Sequence, residues 1–131
     1  LFDNLKYIIV ERDPRDIYCD ASSYNAYPIT KDVNTFISWF ESQRILQKNE
    51  TSNDNVLFVQ FEDLIFNYKN EVNKILKFLN IRKEEHNLKG TILRISESIK
   101  NTQIWKREEY SKYEKHINII ERKLSEYLYK F

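Results

Sequence analysis

Arg12 stands where two sequence patterns meet. Before it, Tyr7-Ile8-Ile9-Val10 is bulky, largely β-branched and unbroken by polar residues, as in a strand buried on both faces of a parallel sheet. After it, Asp13-Pro14-Arg15-Asp16 reads as a helix start. Asp13 is the cap, Pro14 occupies the first position where its missing N–H costs nothing, and Asp16 lies near the positive end of the dipole. The junction delivers a guanidinium to the carboxyl end of a strand, beside a helix N-terminus. Ligands of open α/β sheets bind at that place, and a planar cation among backbone N–H groups suits an anion, so Arg12 is expected to hold a phosphate. The same residues allow a second reading, in which Arg12 pairs with Asp13 or Asp16 and capping by Asp13 consumes the N–H groups.

Other elements have to position that junction. A helix is predicted from Pro14 to about Ser23, with Ile17, Ala21 and Tyr24 on one face. Cys19 lies in it with no flanking His or Lys, which suits packing more than reactivity. Asn25 to Thr30 reads as a loop, after which Thr30 caps a helix whose stripe is Val33, Phe36, Ile37, Phe40 and Arg44. Trp39 stands beside the stripe as core or as a substrate-cleft wall. Lys48 to Asn55 is a polar surface turn, and Val56-Leu57-Phe58-Val59 is a second buried strand. A strand–helix–strand unit makes the strands parallel and brings Phe61, Glu62 and Asp63 to the sheet edge that carries Arg12. A ring at Phe61 can stack on a base or be plain core, while Glu62 and Asp63 read as helix-capping or loop-fixing acids and not as a catalytic pair.

Val72, Ile75, Leu76 and Leu79 form the apolar stripe of a covering helix. Arg82 to Lys89 is charged and reads as one more helical turn. Gly90 to Thr102 holds no sustained period, and with Lys100, Asn101 and neighbouring hydroxyls it reads as a ligand loop anchored by Trp105. From Arg107 to Phe131, the steps of three and four through Tyr113, Ile117, Ile120, Leu124, Tyr127 and Phe131 predict one long amphipathic helix, with His116 edging the core. The fold class is therefore α/β, with parallel strands flanked by helices and a long C-terminal helix.

Composition bounds the function. The 131 residues fit one domain, 1–131, and 41% hydrophobic content excludes a disordered chain. Twenty-one basic against 20 acidic residues leave no basic field for nucleic acid. The single Cys19 excludes an internal disulfide, fits a reducing, cytoplasmic setting, and with two distant histidines makes no metal site. No signal peptide or membrane span is read, so Asn49-Glu50-Thr51 is not taken as a glycosylation site. One glycine, Gly90, forbids a Gly-rich phosphate cradle, and a start at Leu1 without Met suggests a piece of a longer chain.

The run Lys6-Tyr7-Ile8-Ile9-Val10-Glu11-Arg12-Asp13-Pro14-Arg15-Asp16-Ile17 resembles the 3′-phosphate-binding segment of sulfotransferases that use 3′-phosphoadenosine 5′-phosphosulfate. Val56 to Leu64 with the helix ending at Ile81, and Ser98 to Lys106, are similar to that family's second strand with its helix and to its C-terminal cofactor loop. The flavour is that of bacterial members acting on cell-surface polysaccharide. The resemblance implies a partial P-loop-NTPase-like domain lacking its N-terminal phosphosulfate loop, and an isolated chain that does not turn over. It implies sulfuryl transfer to a hydroxyl or amine acceptor, carbohydrate first, with adenosine 3′,5′-bisphosphate as product. Arg12, Lys100 and Asn101 would meet the 3′-phosphate and Phe61 the adenine. No catalytic residue is nominated, since the base and the phosphosulfate cradle would lie in the missing half. Partners are a small acceptor and either the missing half or a partner helix. Where the family has a serine eight positions beyond the arginine, this chain has Asp20. Asp20 then turns away in favour of Ser22 or Ser23, holds Arg12, or ends the preference for a 3′-phosphate. The alternative function is a non-catalytic α/β nucleotide-binding or interaction module.

Overall fold

The computed structural model describes residues 5–49, 53–82 and 94–131. In chain order they form β1 (Tyr7–Glu11), α1 (Pro14–Ser23), α2 (Val33–Lys48), β2 (Val56–Gln60), α3 (Phe61–Phe66), α4 (Tyr68–Leu79) and α5 (Ile95–Ser98). A 3₁₀ turn at Ile99–Asn101 follows, then others at Ile104–Lys106 and Glu108–Tyr113, helix α6 (Glu114–Lys123) and a last 3₁₀ turn at Ser125–Tyr127. The expectations for 83–93, for the turn at 50–52 and for the first four residues lie outside the described residues. The chain divides into two compact units, Leu1–Glu11 with Glu50–Lys100 and Arg12–Asn49 with Asn101–Phe131.

In the first unit β1 and β2 pair in parallel, with Tyr7 opposite Val56 and Glu11 opposite Gln60. The mixed α/β class with parallel strands is therefore as expected, on a two-stranded sheet, but β1 is not buried on both faces: Tyr7 and Val10 are each 54% exposed. Among the described residues, its buried apolar side chains are Val59, Ile65 and Leu76. Helix α4 carries the expected stripe and ends on Asn80 in the left-handed region, whose N–H returns to Leu76 O. The buried Glu71 is paired at 2.6 Å with Lys74, one turn further on. Lys6 Nζ donates to the carbonyl of Phe78 and lies over that residue's ring.

The second unit holds the larger core. Tyr18 and Cys19 of α1, Val33, Phe36, Ile37 and Phe40 of α2, Ile104, and Ile117, Ile120 and Leu124 of the C-terminal segment pack into one cluster. The α2 stripe is as predicted, but its cap is Asp32 in place of Thr30, accepting from the N–H groups of Asn34 and Thr35 at 2.9 Å each. Helix α1 has the predicted bounds, yet its buried face is Tyr18 and Cys19 while Tyr24 is 83% exposed. Burying Tyr18 is tolerable because its hydroxyl lies 2.7 Å from His116 Nδ1. Trp39 packs against the core, 5.8 Å from the Phe36 ring, as an ordinary core aromatic.

The long C-terminal helix is corrected. Only Glu114–Lys123 is α-helical, with 3₁₀ turns on both sides. A step of three fits a 3₁₀ turn as well as an α-helix, so the Leu124 to Tyr127 step kept the period while the helix had ended. Leu124 leaves helical backbone at φ −113°, ψ 29°, and the chain then places the Tyr129 N–H 3.0 Å from Asp13 Oδ2.

Leu124 is fully buried and Ile45 is 63% exposed. Leu124→Ala should therefore cost about 2–5 kcal/mol in urea unfolding, and Ile45→Ala no more than about 0.5 kcal/mol. Equal costs would contradict the described packing of the C-terminal segment.

Candidate functional site

Two acids of the second unit, Asp13 and Asp16, and the Arg12 guanidinium surround the start of α1. Asp13 is fully buried and caps the helix, its Oδ1 accepting from Arg15 N at 2.9 Å. The same carboxylate receives Arg15 Nε at 2.9 Å and Nη2 at 2.6 Å, a bidentate pair, and the Tyr129 N–H. Arg15 Nη1 continues to Glu121 Oε1 at 2.8 Å, and its guanidinium lies 4.1 Å from the Trp105 ring centroid. Burial opposes the Arg15 charge, but its bonds to Asp13 and Glu121 outweigh it and hold the pKa above its ordinary value.

Asp16, also fully buried, reaches the other way. Its Oδ2 accepts from Gln103 N at 2.9 Å, and its Oδ1 from Ile104 N at 2.8 Å and, more weakly, from Trp105 N at 3.4 Å. Gln103 sits in the left-handed region at φ 52°, which costs a non-glycine residue roughly 1 kcal/mol and turns these successive N–H groups onto one carboxylate. Burial pushes the Asp16 carboxyl from its ordinary 3.8 up to about 6, outweighing the Arg12 charge and the N–H bonds from Gln103 and Trp105.

Arg12 is the third element. Its Nη1 donates to the Asp20 carboxylate, one of the arrangements expected for that acid, and its Nη2 donates to the Asn101 carbonyl at 2.6 Å. The side chain keeps 18% of its surface open. Arg12 and Asn101, both expected at the ligand, thus meet within the second unit, with Asn101 contributing its backbone carbonyl. Phe61 and Lys100 belong to the first unit. Phe61 opens α3 and is half-buried, and Lys100 is exposed and paired with Glu97 at 3.1 Å. Glu62, fully buried, accepts from Gln60 Nε2 at 2.7 Å, a structural role like the one expected.

Cys19 is fully buried, and burial pushes its thiol up to about 12, so it packs as expected. Among the described residues no cluster of His, Cys, Asp and Glu could hold a metal ion, and no helix is long and apolar enough to cross a membrane. The anchoring by Asp16 and the Arg15 network were not read from the sequence. A buried first-turn acid is no different in sequence from an exposed one, and its partners are backbone groups 87 to 89 residues away.

The Asp16 shift fixes a pH dependence. A carboxyl with a raised folded pKa binds its proton more tightly in the folded state, so its contribution to stability is full below about 3.8 and declines as pH rises through about 6. The stability of the native chain minus that of Asp16→Asn, from urea unfolding, should therefore fall between about pH 4 and pH 7. A difference that is flat or rises over that range would contradict the burial of this carboxyl.

The family model of the sulfotransferase domain matches residues 1–127. No curated protein matches, and no solved structure matches. With the strand, the Arg12 junction and the segment clamped on Asp16 all inside the matched span, the chain belongs to the sulfotransferase domain family, enzymes that transfer a sulfuryl group.

Proposed function

We propose that the sulfuryl donor is 3′-phosphoadenosine 5′-phosphosulfate and that Arg12 binds its 3′-phosphate. The observation that carries the reading is the Arg12 guanidinium, which follows β1 directly, is fixed by the Asn101 carbonyl and remains partly open. A guanidinium already oriented by one acceptor loses less side-chain freedom on meeting an anion. The bound donor supplies an activated sulfuryl group. This chain supplies charge and position: Arg12 holds the nucleotide end, and Asp16 keeps the 101–105 segment in place against α1. Sulfuryl transfer, like phosphoryl transfer, asks mainly for in-line positioning and for charge on the non-reacting oxygens.

Asp20 occupies one donor of Arg12, so a phosphate must displace it or share the guanidinium. Phe61 against the base and Lys100 over the phosphate keep the roles that the resemblance implies. The two parallel strands are taken as part of a P-loop-NTPase-like sheet. The acceptor is a hydroxyl or amine, on a carbohydrate by the same resemblance.

The Arg12–Asp20 pair also favours a second reading. If that pair is the whole purpose of both groups, the chain is an interaction module built on a nucleotide-binding fold. Calorimetry with adenosine 3′,5′-bisphosphate separates the two. The transferase reading expects saturable binding that weakens about tenfold or more in Arg12→Ala and strengthens about tenfold in Asp20→Ser. Equal affinities in all three chains would remove Arg12 from the site. Concentration-dependent self-association with no nucleotide binding would favour the module.

A further inference from the structure

We propose that the second unit carries a separate site for a small zwitterion with an apolar side chain, an amino acid or short peptide, in a cleft of about 300 Å³. Lys106, Arg107, Glu108, Tyr110, Glu114 and Ile117 are among its walls, and neither Arg12 nor Asn101 lines it. The volume is at the lower end for small-molecule pockets and suits a ligand of one or two residues. This site adds to the transferase reading and does not depend on it, because nothing in it involves the nucleotide.

The charges of the walls select the ligand. Glu121, which also lines the cleft, is already engaged by Arg15 at 2.8 Å. Lys106 donates to the Gln103 side-chain oxygen and lies over the Trp105 and Phe131 rings, but it meets no carboxylate among the described residues. Arg107 has Glu109 at 3.8 Å, too far for a hydrogen bond. Glu108 and Glu114 form no ion pair among the described residues. The two cations and these two carboxylates therefore share one cleft without pairing across it.

Opposite charges held apart along one wall leave a gap that a molecule carrying both charges can bridge. Its carboxylate meets Lys106 and Arg107, and its ammonium group meets Glu108 and Glu114. An anion or a cation alone gains one set of partners and is repelled by the other. The buried Ile117 and the half-buried Tyr110 and Trp105 complete the lining with apolar surface. An apolar side chain on the same molecule leaves water there, which adds affinity that salt does not screen.

The test is proton–nitrogen correlation NMR of the assigned 131-residue chain at pH 7, following the backbone amides of Lys106, Arg107 and Asn118 during titration with glycyl-leucine. The expected result is a saturable shift with a Kd of about 1 mM. N-acetylglycyl-leucine keeps only the carboxylate and glycyl-leucinamide only the ammonium group, and each should bind about fivefold more weakly or worse. Two double variants assign the charges. Lys106→Gln with Arg107→Gln should remove the preference over the amide, and Glu108→Gln with Glu114→Gln the preference over the acetylated peptide. All four side chains are exposed, so circular dichroism should be unaltered in both variants. No saturable shift with glycyl-leucine overturns the proposal. So does an analogue that binds the native chain as tightly as the zwitterion, because the cleft would then be a site for a single charge, and so do double variants that keep both preferences.

Discussion

The second unit depends on two carboxylates buried at the start of α1. Asp13 and Asp16 are both fully shielded from solvent, and taking a carboxylate out of water costs several kcal/mol unless donors replace the lost hydration. Asp13 finds those donors in Arg15 and Tyr129, and Asp16 finds them in Gln103, Ile104 and Trp105. The C-terminal segment therefore cannot leave α1 without stranding Asp16 and taking the Tyr129 donor from Asp13. That constraint sets the position of Asn101, and with it the carbonyl that Arg12 grips.

The charge balance around Arg12 follows from the same packing. Asp16 and Asp13 lie close enough to influence each other electrostatically, Arg12 acts on Asp16, and Asp20 pairs with Arg12 directly. A guanidinium tolerates this company because its five donors lie in a rigid plane and can serve different acceptors in different directions. A lysine would present one mobile point charge and could not hold a side-chain carboxylate and a backbone carbonyl in fixed directions together. In a sulfotransferase this arrangement makes affinity for an anion a contest between phosphate and the Asp20 carboxylate.

Much of the architecture was legible because its causes are local. Asp13-Pro14 fixes the start of α1, the bulky runs at Tyr7–Val10 and Val56–Val59 mark the strands, and the spacing from Val33 to Arg44 gives the face of α2. What stayed hidden depends on distant partners. Tyr18 is buried with its hydroxyl met by His116, 98 residues on, so the expected face through Ile17, Ala21 and Tyr24 held at Ile17, which packs against the core, and failed at Tyr24. Nothing local marks Arg15 as buried, because Glu121 and Trp105, which enclose it, lie far along the chain. The C-terminal period ran on through a 3₁₀ turn, where an interval of three carries no information about which helix is present. At the candidate site the arginine was legible from its place between a strand and a cap. Of its acceptors, Asp20 was one of the readings that the sequence allowed, while the Asn101 backbone carbonyl, 89 residues away, was not legible.

Phosphorus NMR of adenosine 3′,5′-bisphosphate tests the central claim most directly, because its two phosphates give separate signals. With the native chain the 3′ signal should shift saturably, and with Arg12→Lys, which keeps the charge but loses the planar fork, that shift should shrink while any 5′ shift is unchanged. A 3′ signal that does not move, or moves equally with both chains, would contradict the assignment of Arg12 to the 3′-phosphate.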